Sequence, residues 1–308
     1  MPAKTNKTQT KNKVILTGKL CELKVTRGTK ANPNEEVIRL DGSIMLNNDP
    51  NFKIGFRNAF PVRKFKKDGD LRKDYPKYLV FATNAKPVSE VGTEHASVVT
   101  LSGRVASNDF YNKNGDLVEA TMIDPISIDI VADSAEDKDE TIFQGMVRKQ
   151  TKEMRDGEET GRIRAEVIGI DGMGTAIPFK FIVPEQYAEA FEDRYVPHTS
   201  ATFSLKHELT AVEHKKSTGG IGEQWTEGKP RINWLLCGAT DPIEDDDERG
   251  ISKATVKTAL EKRNENLERQ KAYSESRQQQ QGRTTITTGT TSVSLANNWE
   301  NDPDDLPF

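Results

Sequence analysis

Val14-Ile15-Leu16-Thr17-Gly18-Lys19-Leu20-Cys21-Glu22-Leu23-Lys24-Val25 carries two alternating patterns that are out of phase by one residue. Val14, Leu16, Gly18 and Leu20 share one face, and Cys21, Leu23 and Val25 then continue on a shifted phase. A period of two belongs to a strand, whose successive side chains point to opposite faces of a sheet. A one-residue slip within it predicts a β-bulge that bends the strand. Downstream, Gly28 and Asn32-Pro33-Asn34 mark a loop. Ile38, Leu40, Gly42, Ile44 and Leu46 then alternate with Arg39, Asp41 and Ser43 as a second half-buried strand that ends at Asn47-Asn48-Asp49-Pro50. Phe52, Ile54 and Phe56 fall on the core side of a third. Tyr78 to Ala82 reads as another strand, Val99 to Val105 as the next, and Met122 to Val131 as the last, after a hairpin turn at Asn114-Gly115. About five strands, one of them bulged and with essentially no helix signal between them, predict a five-stranded Greek-key barrel of the OB type over residues 13–132.

An acidic linker, residues 133–140, follows, and the same order then recurs. Thr141-Ile142-Phe143-Gln144-Gly145-Met146-Val147 echoes Val14–Leu20, with Gly145 in the place of Gly18. Arg162–Ile170 and Ile177–Val183 read as strands, Ala201–Leu205 parallels Ser97–Leu101, and Arg231–Gly238 closes the set. Pro184 to Val196 is a helix between strands 3 and 4: proline is tolerated in a first turn, and Tyr187, Phe191 and Tyr195 recur every fourth residue. The expected fold class is therefore all-β, two tandem OB-type barrels (13–132 and 141–243) related by duplication. A disordered basic arm, 1–12, precedes them. A partly helical, then disordered, linker over 244–297 leads to a tip at 298–308. Ile251–Gln270 is helix-prone with a thin apolar stripe, and Gln278–Gln281 and the Thr/Gly/Ser tract after it are low in complexity.

The chain has 308 residues and a net charge of −4, but the charge is polarised. Residues 1–80 hold 18 Lys/Arg against 8 Asp/Glu, and the remainder holds 26 against 40. A basic front and an acidic back suit a protein that binds a polyanion at one end and basic partners at the other. Cys21 and Cys237 form no CxxC pair, which implies neither a zinc site nor a disulfide framework and suits a reducing cytosol. No apolar run is long enough to span a bilayer, and no membrane partner is expected. There is no phosphate-binding GxxxxGK[ST], no HExxH and no nucleophile motif; Gly169–Gly174 is a turn, and the aspartates of 245–247 lack calcium-loop spacing. The expectation is a protein without enzymatic activity, cofactor or metal.

Beyond the third strand, aromatic and basic residues interleave. Lys53 and Arg57 take the solvent face, and Phe60, Arg63, Lys64, Phe65, Lys66, Lys67, Arg72, Lys73, Tyr75 and Lys77 follow with little aliphatic content. Flat rings beside cations are what single-strand binding needs, because bases stack on rings and Lys/Arg neutralise phosphates. The alternative is that the rings are core and the cations a solvated hairpin. Phe110, Tyr111 and Lys113 sit on the loop between strands 4 and 5, as stacking groups or as an exposed turn. Lys215, Lys216, Trp225 and Lys229 put an aromatic and cations on the matching loop of the second repeat.

The chain ends Asn298-Trp299-Glu300-Asn301-Asp302-Pro303-Asp304-Asp305-Leu306-Pro307-Phe308. Such a peptide cannot form a core, yet Phe308 can enter an apolar pocket while its carboxylate and Asp304/Asp305 meet basic residues at the rim. This end resembles the acidic tip of bacterial and phage single-stranded DNA-binding proteins, over about a dozen residues. The resemblance implies that Asp302, Asp304, Asp305, Leu306, Pro307 and Phe308 recruit replication and repair proteins while the barrels hold single-stranded DNA in replication, recombination and repair. Two barrels on one chain resemble phage- or plasmid-encoded members more than the housekeeping bacterial protein, so a monomer or homodimer could replace the family's tetramer. The implied location is the cytoplasm, that of the host cell if the protein is phage-encoded. The competing reading is an adaptor whose barrels bind protein or RNA and whose tip docks on the replication machinery.

Overall fold

The computed structural model describes residues 9–28, 35–66, 68–112, 115–155, 157–210, 213–216, 225–228, 230–243 and 250–283. In chain order these form β1 (Asn12–Arg27), β2 (Val37–Met45), β3 (Lys53–Arg57), a short β4 (Val62–Arg63), α1 (Tyr75–Asn84), α2 (Val88–Val91), β5 (Val98–Ser107), a hairpin of β6 (Phe110–Tyr111) and β7 (Leu117–Val118), and β8 (Thr121–Ile130). There follow β9 (Lys138–Arg155), β10 (Glu158–Ile170), β11 (Ala176–Val183), α3 (Glu185–Arg194), β12 (Ser200–Thr210), a ribbon of β13 (Glu213–Lys216) and β14 (Trp225–Gly228), β15 (Arg231–Ala239) and α4 (Lys253–Arg283).

β1 pairs antiparallel with β2 along one edge and with β5 along the other. β2 continues to β3, β5 to β8, and a parallel bridge from Phe56 to Ile123 joins β3 to β8. The result is a closed barrel in the OB-type order, β1-β2-β3-β8-β5. The strands β9-β10-β11-β15-β12 pair around a circuit in the same order, with the parallel bridge between Ile182 and Leu235. The slip in the opening sequence is a bulge: Leu20 faces Ile44 and Glu22 faces Ser43, leaving Cys21 as the extra residue. In β9, Arg148 is extra in the same way, between Val147 opposite Val167 and Lys149 opposite Glu166. A further pair of bulges matches: Ile126 of β8 is extra opposite Ser102/Gly103 of β5, and Cys237 of β15 is extra opposite Ser204/Leu205 of β12.

The circuits meet through their first strands. Asn12 to Thr17 of β1 run antiparallel to Lys138–Phe143 of β9, so eleven strands make one sheet. The alignment that lays Gly18 on Gly145 and Cys21 on Arg148 also lays Val14 on Thr141, and Val14 and Thr141 are paired with each other. The contact is thus self-complementary, as in an isologous interface, with a local two-fold axis at that pair. Thr10 secures it: its Oγ1 donates to the Ile170 carbonyl (3.1 Å) and accepts from the Ile170 amide (2.9 Å). Lys138, Asp139 and Glu140, read from sequence as linker, are therefore the opening of β9.

The cores have different chemistry. Val14, Leu16, Leu20, Leu40, Ile44, Val99 and Leu101 fill the first circuit. Phenylalanines fill the second: Phe143 and Phe179 have ring centroids 4.5 Å apart, and Phe181 and Phe203 5.0 Å. α3 adds Phe191, stacked on Tyr195 at 4.7 Å.

Two sequence readings are corrected. The chain is mostly β with a few helices rather than all-β; α4 alone has 31 residues. Tyr78–Ala82 is not a strand but the middle of α1, which stands between β3 and β5 as α3 stands between β11 and β12. A five-residue apolar run does not distinguish strand from buried helix. The spacing that decides is Tyr75, Tyr78 and Phe81, with Pro76 in the first turn; Tyr78 and Phe81 are buried. α4 starts behind Ser252, whose Oγ accepts the Thr255 amide (3.2 Å). With Ile251, its Val256, Ala259 and Leu260 pack on Met146, Ile168, Ile170 and Ala176.

Two consequences are measurable. A Cβ on Gly18 would lie 2.4 Å from the Met45 carbonyl oxygen, so Gly18→Ala must force β1 and β2 apart. The variant should lose about 1–3 kcal/mol, within the usual range for overpacking; an unchanged urea or thermal midpoint would contradict this strand spacing. Tyr78 donates its hydroxyl to the Pro125 carbonyl (2.9 Å), and burial pushes its pKa up to about 12. The unfolded value is near 10. The folded state therefore favours the protonated phenol, and that stability is complete below about pH 10 and lost as pH rises toward 12. Denaturation series at pH 8–11 should show a steeper alkaline loss for the parent than for Tyr78→Phe.

Candidate nucleic-acid interface

In β3, Ile54 and Phe56 enter the barrel, which leaves Lys53, Gly55 and Arg57 on its outer row. Strands 2 and 3 and the loops after strands 1 and 4 are where OB folds bind oligonucleotides. Lys53 lies 3.6 Å from Glu22; the Cys21 side chain and Glu22 beside the ammonium raise its pKa above the ordinary lysine value. Arg57 faces Asp41 at 3.7 Å.

From β3 the chain runs outward. Phe65 bridges Leu71, the Lys66 amide donates to the Asp70 carbonyl (2.8 Å), and Gly69 supplies the left-handed turn at φ +88°. Phe60 is 56% exposed and Phe65 46%, so neither is core. Lys64 stands over the Phe65 ring at 5.2 Å. Four of the described cations here have a carboxylate: Arg63 with Glu35, Lys64 with Glu36, Lys66 with Asp70 at 3.9 Å, and Arg72 with Asp74 at 2.6 Å. The hydrogen bond between the last two holds the Asp74 carboxyl below the usual range and the Arg72 guanidinium above it. Lys73 and Lys77 flank a shallow pocket beside Ile126. Tyr75 is half-buried against the core and offers less free ring than Phe60 or Phe65.

Between the fourth and fifth strands of each circuit, the described residues include a short antiparallel pair, β6 with β7 and β13 with β14. Phe110 is 36% exposed at the first, and Tyr111 lies beneath Lys271 of α4 at 5.6 Å. α4 is fixed there by Arg263, which is buried and pairs with Asp109 (2.7 Å) and Glu119 (2.9 Å). In the ribbon, Lys216 is paired with Trp225 and Lys215 with Thr226 in the backbone register. Lys67, Lys113, Lys229 and the tip residues Asp302, Asp304, Asp305, Leu306, Pro307 and Phe308 lie outside the described residues.

The structure thus gathers Arg63, Lys64, Phe65, Lys66 and Arg72 on one projecting loop, keeps Lys53 and Arg57 on β3, and puts Phe110 and Tyr111 on a separate hairpin. Sequence reading passed over a cleft of about 250 Å³ where Lys53 and Gly55 of the first circuit face His207 and Trp234 of the second. Among the described residues, no group of three His, Cys, Asp or Glu could hold a metal, and no helix is long and apolar enough to cross a membrane.

No curated protein matches the sequence. Among solved structures, the chain is similar to the wild-type single-stranded DNA binding protein from Thermus aquaticus, with a TM-score of 0.47 and 10% identity over 78% of this chain and 96% of that one. A deletion variant of the same Thermus aquaticus protein gives a TM-score of 0.46 and 11% identity over 78% and 98% of the two chains. Residues 11–273, which hold both circuits and the first two-thirds of α4, match the model of the family described as YorF, and the chain belongs to the YorF family.

Proposed function

We propose that this protein binds single-stranded DNA without enzymatic action, through two tandem OB domains, and recruits replication and repair proteins through its acidic tip. The observation that carries the proposal is the loop after β3, where Phe60 and Phe65 stand exposed among Arg63, Lys64, Lys66, Arg72 and Lys73 beside the outer row of an OB-type barrel. A packed core would have taken the rings, since aromatic side chains are the most profitable to bury. Left in solvent among cations, they suit a ligand with flat faces and a charged backbone. Each base stacked should contribute on the order of 1–3 kcal/mol, with little preference for sequence.

The tandem reading draws on the repeated strand order, the matched bulges and the matched loops. It also bears on assembly. The opening edge of β1 is occupied by β9 of the same chain and so is closed to a second copy, which leaves a monomer, or a homodimer formed through another surface. The tip proposal rests on its sequence alone, and its site of action would be wherever replication proceeds, the cytoplasm of a bacterium or of a phage-infected host.

Anisotropy of labelled oligo-dT, oligo-U and matched duplex at two salt concentrations tests the main reading. We expect tight dT binding that weakens as salt rises, because neutralised phosphates release counterions. Lys66→Glu combined with Lys67→Glu should weaken it by at least ten-fold. Equal binding to all three probes, or none, would favour the adaptor in which the barrels hold protein or RNA. Deleting residues 302–308 should leave dT affinity unchanged or tighter and abolish capture of replication proteins; a truncated chain that loses DNA affinity would refute this division of labour.

A further inference from the structure

We propose that the cleft between the two circuits is a nucleobase subsite, in which one base of the bound strand lies against the Trp234 indole and its phosphate meets Lys53. The inference rests on the single-strand reading above and adds to it a site on the second circuit.

Comparison of the two halves carries it. The bulge-matched alignment sets His207 on Val105 and Trp234 on Ile123, and each couple is a cross-strand pair in its own barrel. In the first circuit the pair is aliphatic and fully buried, as a barrel end requires. The same two positions in the second circuit are aromatic and polar, with ring centroids 3.8 Å apart, and Trp234 is only partly buried. A third position changes with them. Asn12 bonds the Val105 backbone through both ends of its amide, at 2.7 and 2.8 Å. Its counterpart is Asp139, which accepts the His207 backbone amide (2.6 Å) and His207 Nδ1–H (2.8 Å). The carboxylate fixes the imidazole, and the indole packs against the imidazole and meets Phe179 edge-on at 5.3 Å. Packing alone is satisfied by Val and Ile in the first half, so the Asp-His-Trp set answers to something else. It holds a flat ring rigidly at an opening.

The opposite wall is built to admit a ligand. Gly55 lies on the outer row of β3 and lines the cleft. A Cβ there would meet nothing nearer than the Gly42 carbonyl oxygen at 3.9 Å, whereas one on Gly18, Gly42 or Gly103 would strike backbone oxygen at 2.4–2.7 Å. The fold demands those three glycines and does not demand Gly55. Glycine inside a strand is unfavourable unless another group must approach the backbone closely. With Met122 and Ile232 completing an apolar lining and Lys53 the one lysine or arginine among the described lining residues, the cleft fits a planar base carrying a single phosphate. At about 250 Å³ it lies below the range of about 300–1,000 Å³ usual for drug-sized ligands, room for one base.

Gly55→Leu tests the subsite, because it fills the cleft without entering the barrel. Oligo-dT anisotropy and thermal melts are compared for parent and variant, and an oligo-dT carrying 5-iodouracil is photocrosslinked to the unmodified full chain and mapped by mass spectrometry. The variant should melt at or above the parent and bind dT on the order of ten-fold more weakly. The parent should crosslink at Trp234 or His207, and the variant should lose that crosslink. Parent that binds dT yet yields no crosslink at either residue overturns the subsite and leaves the single-strand reading intact, even if Gly55→Leu misfolds. Parent that does not bind dT overturns both.

Discussion

The structure depends on one shared edge. β1 offers the same edge to β9 over Asn12–Thr17 and to β2 from Lys19 onward, and the bulge at Cys21 falls just after this change of partner. The extra residue bends the strand and re-aims the edge. β9 does the same, facing β1 over Lys138–Phe143 and β10 from Met146 onward, with its bulge at Arg148 just after the change. The two circuits therefore share one sheet in which the opening edges of β1 and β9 are paired with each other, and an unpaired edge there would invite pairing with another chain.

The same pairing sets two circuits of like strand order about an approximate local two-fold, which exposes what differs between the halves. On one side, Arg263 from α4 lies buried between Asp109 and Glu119, and Lys180 reaches Glu119 at 3.8 Å. Breaking such a buried pair by removing one partner leaves an uncompensated charge and costs several kcal/mol, so α4 is held firmly there. On the other side no described element crosses the cleft of Lys53, His207 and Trp234. The halves share a backbone plan and have parted in chemistry, one side closed by an ion cluster and the other left open with a rigid aromatic wall.

Much of this was legible in the sequence. The slip at Leu20/Cys21 gave the bulge because a period of two records which face is buried, and Gly145 in the place of Gly18 marked the repeat because both strands need a close approach there. The exposed Phe60 and Phe65 followed from the scarcity of aliphatic residues around them. α1 was missed because its apolar residues are contiguous, so that both periods fit until Tyr75 is counted. The cleft was not legible for a different reason. His207 and Trp234 read as ordinary alternating strand residues, and their departure from Val105 and Ile123 emerges only once two bulges per half fix the register. Gly55 likewise resembles every other strand glycine until the space around it is known.

The pairing of the surface cations with carboxylates bears on how a polyanion would be held. Exposed ion pairs of this kind contribute only about 0–1 kcal/mol each, so exchanging Glu35, Glu36, Asp70 or Asp74 for a phosphate costs little. What the carboxylates do provide is position: Arg72 is gripped by two hydrogen bonds from one side chain, and Lys64 is drawn over the Phe65 ring. A ligand with isolated negative charges gains nothing over the resident acids. A strand with a phosphate at every residue can displace several at once and bring its bases to the rings in the same event. Discrimination for a flexible polyanion over scattered anions then comes from the cooperation of rings and charges along one loop, with the affinity left dependent on salt.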